Sequence, residues 1–237
     1  MKIFIVHAHP EPQSFNAALT NTAVEFFTSE GHDVRVSDLY AMKFNPVSDR
    51  HNFTSVANPD YFKQQIEEMH ASENDGFAPE ILAEIEKLEW CDGLIFQFPL
   101  WWFSVPAILK GWADRTLVMG RVYGGGQWYD NGAFKGKRAL LSLTTGGPET
   151  MYQPDGLNGD IRQMLFPVNH GVLRFNGFEV LPPFIAWGAA HVDDATRKNY
   201  LAAYRRRLAD FETADPIAYP PLSAYDPETY QMKKKEM

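Results

Sequence analysis

The feature that most constrains the fold is a set of short segments that are apolar at nearly every position. Two of them, at residues 3–6 and 93–98, do not alternate between apolar and polar positions. Such strands have both faces covered, which is typical of a parallel sheet with helices on both sides. Further candidate strands lie at 32–36, 138–143 and 178–181. The pattern predicts an α/β fold of three layers around a five-stranded parallel sheet.

Helical segments alternate with these strands. Ser14 is a suitable N-cap for a helix after the first strand, and Gly31 suits its end. The segment 41–78 is rich in Pro, Asn, Asp and Ser and predicts a long surface excursion with a weak helix. Beyond about residue 213 the chain is rich in Pro and Tyr. We therefore predict one folded domain over 1–212 and an extended tail over 213–237 that packs on the body or on a partner subunit.

Composition narrows the class of protein. The 22 Lys and Arg residues against 30 Asp and Glu residues give a formal net charge of −8, which disfavours a nucleic-acid-binding protein. Cys91 is the single cysteine, so no disulfide framework can form within the chain. No segment approaches the roughly 20 apolar residues that a membrane span needs. We predict a cytoplasmic protein without a membrane span.

The carboxyl ends of the strands are the expected ligand site, because ligands of open parallel sheets bind there. The first strand is followed by no glycine between His7 and Asn16. This excludes the glycine-rich dinucleotide motif and the phosphate loop at that position. What remains is a helix start at Ser14 and Phe15, whose free backbone N–H groups suit a phosphate. A Ser cap without any ligand is an equally ordinary feature.

Two further strand ends carry unusual residues. After the strand at 93–98 comes an aromatic loop with the residues Pro99, Leu100, Trp101, Trp102 and Phe103. It is typical of a platform for a planar ring or of an oligomer interface. After the strand at 138–143 comes a small-residue loop with the residues Thr144, Thr145, Gly146 and Gly147. It permits close approach of a ligand, or forms a simple turn.

Together these features describe a flavin site, and the motifs resemble one family. The motifs are the opening 9–16, the segments 37–42, 96–100 and 105–112, and the loop 144–147 followed by Met151 and Tyr152. On these residues the sequence resembles the NAD(P)H:quinone oxidoreductases of the DT-diaphorase type, within the flavodoxin-like fold family.

The resemblance implies a homodimer that binds FAD, with FMN the less expected flavin. It would transfer a hydride from NADPH or NADH to the flavin and then to a quinone, both substrates using one pocket in turn. The implied cofactor residues are His9, Ser14, Phe15, Asn16, Pro99, Leu100, Trp101, Trp102, Phe103, Thr144, Thr145, Gly146, Gly147, Tyr152 and Arg197.

The resemblance also implies two catalytic residues. Tyr152 matches the family's tyrosine, and Asn158 stands where a histidine is common. Asparagine donates a hydrogen bond but cannot carry a proton, so a Tyr–His proton relay is impossible in this chain. The branch of the family that uses dihydronicotinamide riboside also has Asn there, so the reductant stays open.

The resemblance places quinone-pocket residues at Tyr123, Trp128 and Phe175. Trp128 replaces a methionine of the mammalian pattern, so the substrate preference does not carry over. One branch holds a metal, but Arg174 occupies the place of one of its histidine ligands, and we predict no metal.

Other functions remain open at this stage. A flavin-dependent azo- or nitroreductase would use the same half-reactions on another acceptor. A flavodoxin-like binding subunit of a transporter or signalling partner would use Trp101, Trp102 and the tail as a contact surface. A small electron carrier is a third alternative, although the long excursion and the tail favour a covered pocket.

Overall fold

The computed structural model describes residues 1–233. Its centre is a five-stranded parallel sheet in the order β2-β1-β3-β4-β5. The strands are β1 Lys2–His7, β2 Asp33–Asp38, β3 Gly93–Pro99, β4 Arg138–Thr144 and β5 Glu179–Ala186. The predicted flavodoxin-like α/β fold with a five-stranded parallel sheet is confirmed.

Six α-helices surround the sheet in residues 1–233. They are α1 Phe15–Ser29, α2 Gln64–Glu73, α3 Pro79–Trp90, α4 Ala107–Thr116, α5 Ile161–Phe166 and α6 Asp194–Ala209. In residues 1–233 no helix has the length and apolar character that crossing a membrane requires.

The central strand β1 shows why the strand segments do not alternate. Ile3 and Ile5 point into the layer formed with α1 and α6, whereas Phe4 and Val6 point into the layer formed with α3 and α4. All four side chains are fully buried. Burial of each such side chain stabilises the folded state by about 1.5–3 kcal/mol. Both faces of the sheet therefore belong to the core.

The strand order fixes where a ligand site can form. The chain passes from β1 to β2 at one edge and then returns to pair β3 with the other side of β1. The loops after β1 and β3 therefore leave the sheet in opposite directions and open a crevice between them. The loop after β4 lies beside that crevice, because β4 pairs with β3 as far as Pro99 and Thr144.

Two features of the second half of the chain are absent from the sequence pattern. The helix α5 continues into a π-helical segment, Pro167–Arg174. The proline lacks an N–H group and interrupts the helical pattern, which hides this element. The strand β5 extends beyond the expected 178–181, through Pro182 and Pro183, where the pairing with β4 is irregular. Prolines are tolerated there because β5 is an edge strand.

The described part of the tail lies along the body. The Ile217 N–H group donates to the Val180 carbonyl oxygen at 2.7 Å, and the Leu222 N–H group donates to Asp130 Oδ2 at 2.5 Å. The guanidinium of Arg138 donates to the carbonyl oxygens of Phe211 and Ala214. These bonds hold the chain against β5 and the 128–131 loop. Residues 234–237 of the tail lie outside the described residues.

Candidate active site

A groove of about 540 Å³ opens at the carboxyl ends of β1, β3 and β4. Eleven of the fifteen expected cofactor residues line it, namely His9, Ser14, Phe15, Asn16, Pro99, Leu100, Trp101, Thr144, Thr145, Gly146 and Arg197. The other four, Trp102, Phe103, Gly147 and Tyr152, are not among its lining residues. We call this cavity the strand-end groove.

The start of α1 forms one end of the strand-end groove. Ser14 Oγ accepts a hydrogen bond from the Ala17 N–H group at 3.1 Å, so Ser14 is the N-cap, as expected. Within the described chain, the backbone N–H groups of Phe15 and Asn16 have no acceptor. The first turn of the helix carries no acidic side chain. These free donors and the helix dipole suit an anion.

The side chain of Asn16 is occupied inside the protein. It is buried, its Nδ2 atom donates to Thr144 Oγ1 at 2.9 Å, and its Oδ1 atom accepts from Gln97 Nε2 at 2.9 Å. These bonds join the start of α1 to the carboxyl ends of β3 and β4. Asn16 thus offers the groove its backbone N–H group and acts through its side chain as a brace.

Backbone hydrogen bonds fix the shape of the aromatic loop after β3. Trp101 and Ser104 exchange two backbone hydrogen bonds of 3.0 Å, and the two residues between them are left-handed. The φ angles of Trp102 and Phe103 are 49° and 60°. Side-chain-bearing residues pay about 1–2 kcal/mol each for this conformation. Trp102 is nevertheless 95% exposed, which is typical of a surface that a ligand or another chain covers.

The Thr-Thr-Gly-Gly loop after β4 leaves room above it. Thr145 Oγ1 donates to the Gly147 carbonyl oxygen at 2.8 Å and accepts from the Gly188 N–H group at 3.1 Å. A Cβ atom at Gly147 would come within 2.6 Å of Met151 Sδ, so a side chain there would displace the Met151 side chain. A Cβ atom at Gly146 would meet nothing within 4 Å. The space over Gly146 is therefore open to a ligand.

The two expected catalytic residues follow this loop. Tyr152 is 6% exposed, and its ring centroid lies 5.5 Å from that of Trp187. A Cβ atom at Gly147 would lie 3.5 Å from Tyr152 Cε2, so this ring borders the Thr-Thr-Gly-Gly loop. The Asn158 N–H group donates to the Met151 carbonyl oxygen at 2.8 Å, which closes the loop between them. Within residues 1–233, the Tyr152 hydroxyl and the Asn158 amide make no side-chain hydrogen bond.

Charge in the strand-end groove comes from Arg197 more than from His9. Partial burial lowers the pKa of His9, although the Glu11 carboxylate opposes this. The Glu11 N–H group donates to His9 Nδ1 at 3.0 Å. His9 is therefore neutral at pH 7. Arg197 donates to Asp194 Oδ1 at 2.7 Å and to the Ala189 carbonyl oxygen at 3.1 Å, which fixes its guanidinium at the rim.

The three expected quinone-pocket residues lie together, but elsewhere. Tyr123, Trp128 and Phe175 line a second cavity of about 600 Å³, which we call the aromatic cavity. The rings of Tyr123 and Phe175 meet edge to face with centroids 6.0 Å apart. The aromatic cavity shares no lining residue with the strand-end groove. In a single chain, the two sets of residues therefore form two separate sites.

The sequence did not reveal several residues of the aromatic cavity. Tyr129 and His170 line it, and the tail contributes Pro220, Leu222, Tyr225 and Tyr230. The Pro- and Tyr-rich composition of the tail was the available signal. Within the described residues, no group of three His, Cys, Asp or Glu side chains is placed to hold a metal ion. A metal-free site stays a prediction.

The fold and the strand-end groove define a flavodoxin-like α/β protein, and the family model described as flavodoxin-like fold matches residues 1–208. The chain is 46% identical over 217 residues to "Ribosyldihydronicotinamide dehydrogenase [quinone]" of Mus musculus, which covers 91% of this chain and 94% of that protein. It is 42% identical over 226 residues to "NAD(P)H dehydrogenase [quinone] 1" of Cavia porcellus, which covers 95% and 82%.

A solved structure agrees with these relatives. A crystal structure of a Klebsiella pneumoniae protein assigned as a quinone reductase superposes with a TM-score of 0.95 at 38% identity, covering 98% of this chain and 94% of that one. The chain therefore belongs to the flavodoxin-like NAD(P)H:quinone oxidoreductase family, and the resemblance drawn from its motifs is confirmed.

Proposed function

We propose that this chain is an FAD-dependent NAD(P)H:quinone oxidoreductase. It reduces quinones by two electrons, as a hydride, in a ping-pong mechanism, and it works as a cytoplasmic homodimer without a metal. The observation that carries the proposal is the convergence of three strand ends and the free N–H groups of α1 on one groove. The relatives support quinone as the acceptor: one is named as a ribosyldihydronicotinamide dehydrogenase [quinone] and another as an NAD(P)H dehydrogenase [quinone].

The strand-end groove fits a flavin with a phosphate-bearing chain. The N–H groups of Phe15 and Asn16 suit the phosphates, and the open space over Gly146 suits a planar ring. The groove continues past α1 to Arg197 on α6, which gives space for the adenine side of FAD and favours FAD over FMN. When bound, a flavin supplies the capacity to accept a hydride from a nicotinamide and to return it to a quinone.

The roles of the surrounding side chains follow from their chemistry. Pro99, Leu100 and Trp101 present apolar surface along one edge of the groove. Tyr152 and Asn158 hold donors that no described residue uses, and these would stabilise negative charge that builds up on the ring. Asn158 donates a hydrogen bond without moving a proton. Orientation and charge stabilisation are thus the chain's contribution to hydride transfer.

A homodimer would join the two cavities into one site. Trp102 and Phe103 are exposed beside the strand-end groove, and the aromatic cavity is a concave surface without a cofactor site of its own. In a twofold dimer, the same two patches meet twice, so each groove would face the Tyr123, Trp128 and Phe175 of the other chain. In this proposal residues 1–212 form the catalytic domain, residues 213–237 form the tail, and the described part of the tail completes the aromatic cavity.

The test begins with the flavin. The purified protein should show a flavin absorption spectrum, and heating should release FAD, identified by chromatography. Under anaerobic conditions NADPH or NADH alone should bleach the flavin, and one equivalent of a benzoquinone should restore it, faster than an azo dye does. Absence of bound flavin, even after incubation with excess FAD or FMN, would contradict the proposal. FMN instead of FAD would correct the cofactor and leave the activity.

A further inference from the structure

A buried carboxyl group lies behind the aromatic cavity. Glu68 on α2 is 2% exposed. Its Oε2 atom accepts from the Met119 N–H group at 2.8 Å, and its Oε1 atom accepts from Gln64 Nε2 at 2.8 Å. The Tyr123 hydroxyl lies 3.4 Å from Oε2. Hydrogen bonds of this length in ligand-free sites often tighten when substrate binds.

Tyr123 connects two cavities. Its ring lines the aromatic cavity, and it also lines a neighbouring cavity of about 410 Å³ that Glu68 shares. Gln65 Nε2 lies 3.4 Å from the same hydroxyl. The Glu68 carboxyl group therefore has the phenol of a substrate-cavity residue on one side and an open, polar cavity on the other.

We propose that Glu68 is a proton reservoir that supplies the quinone through the Tyr123 hydroxyl. The proposal rests on the proposed function, because that function supplies the quinone that Tyr123 protonates. Reduction of a quinone to a hydroquinone takes one hydride, which carries both electrons, and one proton. The Tyr123 O–H bond breaks as the bond from that proton to the quinone oxygen forms. The Glu68 carboxyl proton then passes to the Tyr123 oxygen, and water in the neighbouring cavity reprotonates Glu68.

Two other candidates are poor sources of this proton. Asn158 cannot carry one. His170 lines the aromatic cavity, but its ring is stacked on Phe166 with centroids 4.7 Å apart. Burial first, and the positive charge of Arg174 second, lower the pKa of His170, so its ring is neutral at pH 7. Among the cavity phenols in residues 1–233, Tyr123 is the one within hydrogen-bond reach of a carboxyl group.

The surroundings of Glu68 favour its protonated form. Burial raises the pKa of Glu68 above its usual range, against the opposing hydrogen bonds from Met119, Gln64 and Tyr123. The nearest charged groups from α4 are Lys110 and Asp114, which line the same cavity and pair with each other at 2.5 Å. Because the protonated carboxyl group is the active form, the rate of quinone reduction should fall as the pH rises through this raised pKa.

The experiment compares Glu68→Gln with the wild-type holoenzyme. The glutamine keeps an oxygen that can accept from the Met119 N–H group but has no proton to relay. Stopped-flow reoxidation of the reduced enzyme by a benzoquinone should slow about tenfold or more and lose its dependence on pH. Reduction by NADPH and the KM for the quinone should not change.

Tyr123→Phe should slow reoxidation similarly, and the double variant should be no slower. Glu73→Gln, on the exposed side of α2, is the matched control.

A second readout needs no activity. Infrared titration of the flavin-free protein should show a protonated carboxyl band that persists to a higher pH than that of an ordinary glutamate, and that Glu68→Gln removes and Glu73→Gln leaves. The proposal is overturned if Glu68→Gln reoxidises at the wild-type rate with the wild-type pH profile, or if that band is absent from the wild type. A wild-type enzyme whose flavin is not reoxidised by any quinone would instead overturn the proposed function.

Discussion

The strand-end groove and the aromatic cavity are built in different ways. Regular elements form the groove: three parallel strands in fixed register, with Asn16 bonded to Gln97 and Thr144 across them. Loops, a π-helical segment and the tail form the aromatic cavity. In the proposed enzyme, the cofactor thus binds to the rigid part of the molecule, and the substrate binds to the part that can vary without disturbing the sheet.

The rim of the aromatic cavity differs from the strand-end groove in what sets its shape. Gly124 and Gly125, which line it, have φ angles of 116° and 57°. This is backbone that glycine adopts without strain. The shape of the rim is therefore set by backbone freedom, whereas the groove is set by side-chain hydrogen bonds between neighbouring strands. Changes in the groove should affect flavin affinity, and changes in the cavity should affect the quinone.

The largest expected effect comes from Gly146→Leu. The backbone there is compatible with a side chain and has open space above it, so the fold should be retained while the side chain fills the groove. We expect flavin affinity, measured by fluorescence titration, to fall about 100-fold or more, or about 2.7 kcal/mol. Gly171→Leu, at the other glycine with open space and an ordinary φ, is the control and should bind flavin normally. Normal affinity in Gly146→Leu would remove this position from the flavin site.

The next effect concerns charge at the start of α1. Asn16→Asp can still accept from Gln97 and can accept from the Thr144 hydroxyl, but it sets a negative charge beside the N–H groups proposed for the phosphates. We expect flavin affinity to fall about tenfold or more in titration. The exposed Asn21→Asp makes the same charge change on the same helix and should have no effect. Undiminished affinity in Asn16→Asp would argue against phosphates at this helix.

Tyr152→Phe should separate binding from reaction. The ring keeps its packing against Trp187, and the hydroxyl is lost. Flavin content should stay unchanged, while anaerobic flavin reduction by NADPH in a stopped-flow instrument should slow about tenfold, because one donor to the developing charge is missing. Unchanged reduction kinetics would exclude Tyr152 from the mechanism.

The smallest effect is expected at the tail. Asp130 accepts from the Leu222 N–H group and pairs with Arg174. Burial opposes ionisation, but these two partners outweigh it and lower the pKa of Asp130. Because the folded-state pKa is lowered, the ionised Asp130 adds to the free energy of unfolding above the ordinary carboxyl pKa. This stabilisation is lost as the pH falls through the lowered value.

Asp130→Asn should therefore loosen the tail at pH values above the lowered pKa of Asp130 and have little effect below it. We expect the KM for the quinone to rise about threefold, as for the loss of one ordinary hydrogen bond, with flavin affinity unchanged. Steady-state kinetics with varied quinone, beside a flavin titration, measure both. A change in flavin affinity instead would mean that the tail supports the groove and not the aromatic cavity.

The contrast between the two regions also explains what the sequence could predict. The groove could be predicted because parallel strands bring their carboxyl ends together, so that residues after 6, 98 and 143 must meet. The role of the Asn16 side chain as a brace could not be predicted, since it depends on partners 81 and 128 residues away in the sequence. The aromatic cavity was predicted from the family resemblance alone, because Pro167 hides the π-helical segment and the tail has no periodic pattern.

The most direct test of the two-site account is to mix two variants, each defective in one region. Gly146→Leu blocks the strand-end groove, and Trp128→Glu sets a charge in the aromatic cavity. Each homodimer should lack quinone reductase activity. Unfolded and refolded together in equal amounts with FAD, they should regain about a quarter of the wild-type activity, since half of the dimers are hybrids with one intact composite site. Activity no greater than the sum of the two parents would contradict a site shared between two chains.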